Sequence, residues 1–144
     1  MTTARAAAAA LAWAGLAAAA GCGGGPDGPK LHPVSGKVEV VGGDTAALAG
    51  CTIDAALDSD PTVHASGEIK ADGSFTLETL HAGVIRRGAR EGRYKARINF
   101  PDDDPAARKK AAKAVDPKVK KFDTSGLSFE VPTTGDVVLK VPPP

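Results

Sequence analysis

From Leu31 onward, apolar residues recur at every second position, and clusters of Gly, Asp and Pro interrupt the rhythm. A period of two is that of a half-buried strand, whose side chains alternate between a core face and a solvent face. Val34, Gly36, Val38 and Val40 share one face of a first strand, with Ser35, Lys37 and Glu39 on the other, and Gly42-Gly43-Asp44 ends it. Cys51, Ile53, Ala55 and Leu57 are the apolar phase of a second strand, which Asp58-Ser59-Asp60-Pro61 closes. A third strand runs through Ala65, Gly67 and Ile69, and Ala71-Asp72-Gly73 joins it to a fourth, where Phe75 and Leu77 point inward. A three-residue loop with Gly in the left-handed position predicts a hairpin there.

The stretch from Leu80 to Glu91 is less regular, carries Arg86, Arg87 and Arg90, and reads as a surface loop. Beyond Gly92, Tyr94, Ala96, Ile98 and Phe100 alternate with Lys95, Arg97 and Asn99 until Pro101 stops the fifth strand. Tyr94, near a strand start, predicts a tyrosine-corner-like hydrogen bond. Asp104-Pro105 followed by Ala106 to Val115 predicts an N-cap, a Pro at the first helical position and an Ala/Lys/Arg-rich helix. Its apolar residues are nearly all Ala, so it is expected to bury little. Two last strands follow, on Leu127, Phe129 and Val131, then Val137, Leu139 and Val141. Seven short strands separated by turns predict an antiparallel sandwich.

The N-terminus has a different grammar. Met1 to Arg5 holds one positive charge, and Ala6 to Ala20 is an uncharged run that matches a secretory leader. Fifteen helical residues rise about 22 Å, short of the roughly 30 Å hydrocarbon core of a bilayer. Ala19-Ala20-Gly21-Cys22 resembles a bacterial lipobox, with Ala19 where a Leu is usual. That resemblance implies cleavage before Cys22, acylation of its sulfur and a lipid-anchored mature N-terminus. The alternative is an ordinary signal peptide cut after a site such as Ala18-Ala19-Ala20, leaving Cys22 a free thiol. The organisation expected is therefore a leader over 1–21, a Gly/Pro-rich tether over 22–30 and a sandwich domain over 31–144. Cys51, on an apolar strand phase, reads as a small buried hydrophobe.

Charge narrows the partners. The chain has 18 Lys+Arg against 17 Asp+Glu, and removal of the leader takes away Arg5. A balanced charge lacks the basic footprint that phosphate-backbone binding needs, so no nucleic-acid role is expected. Hydrophobic residues make up 42% of the chain and many of them lie in the leader, so the core must be thin.

Three segments, His32-Pro33-Val34-Ser35-Gly36-Lys37-Val38, Ser66-Gly67-Glu68-Ile69-Lys70-Ala71-Asp72-Gly73-Ser74-Phe75 and Gly92-Arg93-Tyr94-Lys95, taken in this order, resemble the carboxypeptidase regulatory-like (transthyretin-like) domain of small bacterial lipoproteins. The approach to the last strands, Asp116-Pro117-Lys118 to Phe122-Asp123-Thr124-Ser125-Gly126-Leu127, resembles it too. The resemblance spans Leu31 to Val141, although the connection from Gly42 to Gly50 is longer than that family's usual turn. It implies a seven-stranded Greek-key sandwich of transthyretin- or Ig-like kind, so that, with the helix read above, the fold expected is all-β with one short helix in an insertion. It implies no catalytic activity and transfers no catalytic or ligand residue.

Neither Gly-x-Ser-x-Gly nor His-Glu-x-x-His occurs, so no enzyme is expected. His32, His64 and His81 have no paired ligand spacing and read as exposed turn residues rather than metal ligands, so no cofactor is expected. Asp58, Asp60 and Asp102-Asp103-Asp104 lack a calcium-loop pattern and read as turn carboxylates, one of them capping the helix. The insertion between Pro101 and Gly126 runs from acidic to basic and is the segment expected to meet any partner. The expectation is thus a lipid-anchored, non-catalytic module of the cell envelope, facing the periplasm or the cell exterior. Its partners would be the membrane, through acylated Cys22, and an envelope protein or polymer; the alternative is a periplasmic carrier of a small ligand or metal.

Overall fold

The structure, a computed structural model, describes residues 28–144. The leader, Cys22 and most of the tether lie outside the described residues. Among the described residues nine strands form, β1 (Ser35–Val40), β2 (Thr52–Leu57), β3 (Asp60–Glu68), β4 (Ser74–Thr76), β5 (Glu78–His81), β6 (Val84–Arg87), β7 (Gly92–Asn99), β8 (Leu127–Val131) and β9 (Val137–Val141), with one α-helix, α1 (Pro105–Ala114). The strands make a sheet of three, ordered β4-β1-β9, and a sheet of six, ordered β6-β5-β3-β2-β7-β8.

The all-β sandwich matches the alternation. In β1, Gly36, Val38 and Val40 are buried and Ser35, Lys37 and Glu39 exposed. Val38, Phe75 and Leu139 from one sheet and Ile53, Tyr94 and Ile98 from the other share a single apolar core. Tyr94 donates its hydroxyl to the Arg90 carbonyl at 3.0 Å, the corner bond expected from its position. Cys51 is fully buried, and burial pushes its thiol up to about 11.

Strand number and pairing differ from expectation. The stretch assigned to a loop is the β5–β6 hairpin, which pairs Leu80 with Ile85 and His81 with Val84, and it raises the count from seven to nine. Its apolar residues face water rather than core, so the alternation that marks the other strands is missing from it. Asp72 and Gly73 do form a tight turn, with Gly73 at φ +83° and its N–H donating to the Lys70 carbonyl at 2.9 Å. The turn leads between sheets, however, because β4 pairs with β1 and not with β3. The chain then returns to the large sheet at Leu77, whose N–H donates to Val34 and whose carbonyl accepts from Gly88, at 2.9 and 2.8 Å. At that crossing a Cβ on Gly67 would collide with the Thr76 carbonyl oxygen, so only glycine lets the two strands approach. One pair, β1 with β9, is parallel, where a wholly antiparallel sandwich was expected.

The insertion is also more buried than expected. Asp104 caps α1 by accepting from the N–H groups of Ala106 and Ala107 at 3.0 and 2.9 Å. Ala111, then Val115 and Val119 beyond the helix, are fully or almost fully buried in the core, and α1 packs against the short turn Thr45–Leu48. The segment closes one end of the sandwich. Among the described residues no helix is long and apolar enough to cross a membrane.

Candidate functional site

Strand β2 sits at the centre of the six-stranded sheet, and both of its faces are covered. On its outer face Asp54 lies beside Ser66 of β3 and Arg97 of β7. Its side chain is only 12% exposed, which would be costly for a lone carboxylate. Two nitrogen donors offset that cost. Arg97 Nε donates to Asp54 Oδ2 at 2.9 Å and Nη2 lies 2.8 Å from the same oxygen. His64 Nδ1 donates to Oδ1 at 2.9 Å.

Phe122 covers this triplet. Its ring centroid stands 4.5 Å from the Arg97 guanidinium carbon and 5.9 Å from the His64 ring, tilted by 60°. The Phe122 loop is stitched to the sheet by buried Ser125, whose hydroxyl donates to the Ala96 carbonyl at 2.6 Å and accepts from the Leu127 N–H at 3.1 Å. Thr124 adds a bond to the Lys118 carbonyl at 2.8 Å. The cation–π contact and the bonded carboxylate hold Arg97 in one orientation.

An Asp–His pair orients an imidazole for proton transfer, but acyl transfer also needs a nucleophile within hydrogen-bond reach. Among the described residues no hydroxyl or thiol bonds to His64. The hollow beside the cluster, lined by Ala56, Leu57, Asp58, Pro61, Lys95, Phe122 and Asp123, holds about 220 Å³. That is below the roughly 300 Å³ at which pockets for drug-sized ligands begin. A hollow of about 370 Å³ lies near α1 between Asn99, Phe100, Asp102, Arg108 and Lys120. There Arg108 is already engaged with Asp102 and with the Pro101 carbonyl, and Lys120 rests 5.2 Å over the Phe100 ring.

The other singled-out residues are dispersed. His32 forms a backbone bridge with Ala89, and its Nε2 is 4.0 Å from Glu91. His64, on β3, bonds to Asp54 of the neighbouring β2, and His81 is exposed on β5. Asp58 faces Lys95 and Arg93 at 3.7 and 4.0 Å, while Asp60 accepts from the Thr62 hydroxyl and N–H, which lowers its pKa. Among the described residues no group of three or more His, Cys, Asp or Glu is arranged to hold a metal ion. Cys22 lies outside them. The triplet of Asp54, Arg97 and His64 under Phe122 is not legible in the sequence, where Asp54 is the one charged residue of Thr52–Leu57. No family model, curated protein or solved structure matches the chain.

Proposed function

We propose that this chain is a lipid-anchored, non-catalytic β-sandwich module of the bacterial cell envelope, in the manner of the carboxypeptidase regulatory-like domains its segments resemble. The observation that carries the reading is Ala19-Ala20-Gly21-Cys22, small residues before a cysteine, followed directly by the Gly/Pro-rich run Gly23-Gly24-Gly25-Pro26. The described domain supports a binding or structural role over catalysis. Its most organised polar cluster spends Asp54 on Arg97 and His64 and places no nucleophile beside the imidazole. An envelope protein or polymer is the partner for such a module.

Expression of the full chain in a bacterium fed an alkynyl fatty acid tests the anchor. The wild-type protein is expected to take up the label and Cys22→Ser to take up none. A wild-type protein without label overturns the reading.

A further inference from the structure

The β5–β6 hairpin carries Leu80, Val84 and Ile85, which are 68%, 58% and 67% exposed. Leu80 and Ile85 are direct cross-strand partners, so they stand side by side on one face, while Val84 pairs with His81 across the ladder. This apolar tip tops a rigid base. Thr79 is buried and donates to the Gly88 carbonyl at 2.7 Å, and β6 is the free edge of its sheet. Arg86 and Arg87 follow the tip, and Arg90 comes just beyond them. The tip is thus apolar on both faces, Leu80 and Ile85 on one and Val84 on the other, and an exposed apolar tip followed by arginines marks an interaction surface.

The path of the chain says what that surface meets. Gly28 lies against the hairpin, close enough that a Cβ there would stand 2.6 Å from an Arg86 nitrogen and 3.4 Å from the His81 ring. The Pro29 carbonyl is 3.5 Å from the same arginine. Five residues lie between Cys22 and Gly28, and the six Cα-to-Cα steps reach at most about 21 Å. An acyl chain on Cys22 therefore holds this hairpin, and not the far edge of the sandwich, next to the bilayer.

We infer that the β5–β6 hairpin is a membrane-docking surface, seating Leu80, Val84 and Ile85 at the headgroup–acyl boundary of an anionic bilayer. Arg86, Arg87 and exposed Lys30 then face lipid phosphates, and they outnumber Glu78, which pairs with Arg87 across the ladder. The inference rests on the lipid-anchor reading for its geometry. Its effect is orientation: the acyl group retains the protein, and the hairpin fixes which faces of the sandwich point away from the lipid.

Trp13, in the leader, is the sole tryptophan of the chain, so an added indole is a clean reporter. The mature protein, extracted from membranes, is reconstituted in phosphatidylglycerol/phosphatidylethanolamine vesicles as Val84→Trp, as Val138→Trp in the other sheet, and as the parent chain for background. The Val84→Trp emission is expected to shift to the blue and be lost to acyl-brominated lipid, while Val138→Trp stays water-like and unquenched. Equal behaviour of the two probes overturns the inference. So does a blue shift without quenching that accompanies a crosslinked dimer, since a second copy then covers the hairpin. Quenching that is as strong in phosphatidylcholine as in anionic vesicles overturns the role given to the arginines. Intact mass of the same samples separates the two claims. A lipidated chain with an unquenched probe removes the docking surface alone, and an unlipidated chain with a quenched probe removes the anchor alone.

Discussion

Val119 lies in a basic segment, Lys118 to Lys121, that reads as solvated loop, yet its side chain is fully buried. Val119→Ala removes the equivalent of two methylene groups from the core, at about 0.8 kcal/mol each. Incomplete collapse of the space left behind adds up to about 1 kcal/mol, for a total near 2 kcal/mol. For a domain of this size each kcal/mol lowers Tm by about 4 °C, so a fall of roughly 8 °C is expected by calorimetry. Lys109→Ala, on the exposed side of α1, is the control and should change stability by less than about 0.5 kcal/mol. Urea denaturation of the same variants checks that the slope, and so the area exposed on unfolding, is unchanged. If Val119→Ala melted with Lys109→Ala, the segment over 101–126 would not be a lid on the core and its role as a docking loop would be restored. The same burial means that replacing Pro105 to Lys121 by a flexible linker is expected to unfold the domain rather than isolate a partner site.

Gly73→Val forces a branched residue to φ +83° with its Cβ 2.6 Å from both the Val38 carbonyl oxygen and Thr45, at a cost of at least about 1 to 3 kcal/mol in chemical denaturation. Gly42→Ala, also at positive φ but with open space around it, should cost less, and equal costs would contradict the turn packing. Burial of Cys51 pushes its thiol up to about 11, so at pH 8 about a thousandth of it is thiolate; native protein should resist a disulfide reagent that labels it fully in denaturant. The Ser74 hydroxyl and N–H hold Asp72 below the ordinary carboxylate range. Its stabilising contribution is therefore complete above the unfolded value and lost as pH falls through the lower folded value. Carboxyl NMR titration should show that low pKa and its rise in Ser74→Ala, and an unmoved titration would remove the turn bond from the account.

Period-two alternation made β1, β2, β7, β8 and β9 legible, because each has one face on the core and one toward water or polar side chains. The helix was legible from Asp104-Pro105, whose capping chemistry is local. Pairing was not: the turn at Asp72-Gly73 has the same residues whether the next strand stays in the sheet or crosses to the other, and the parallel β1–β9 pair joins opposite ends of the chain. The β5–β6 hairpin escaped because Leu80, Val84 and Ile85 are exposed, so they follow no inward rhythm. Asp54 escaped for a related reason. On a strand with both faces covered, a polar residue looks like a solvent-facing one until Arg97 and Phe122, distant in sequence, are placed over it.

The proposed envelope role rests on one sulfur atom, that of Cys22, carrying lipid. Intact-mass spectrometry of the protein purified from bacterial membranes tests this most directly, with fragmentation to locate the modification. The expected protein begins at Cys22 and carries diacylglyceryl mass on that residue. A chain that begins elsewhere, or a Cys22 of unmodified mass, would contradict it.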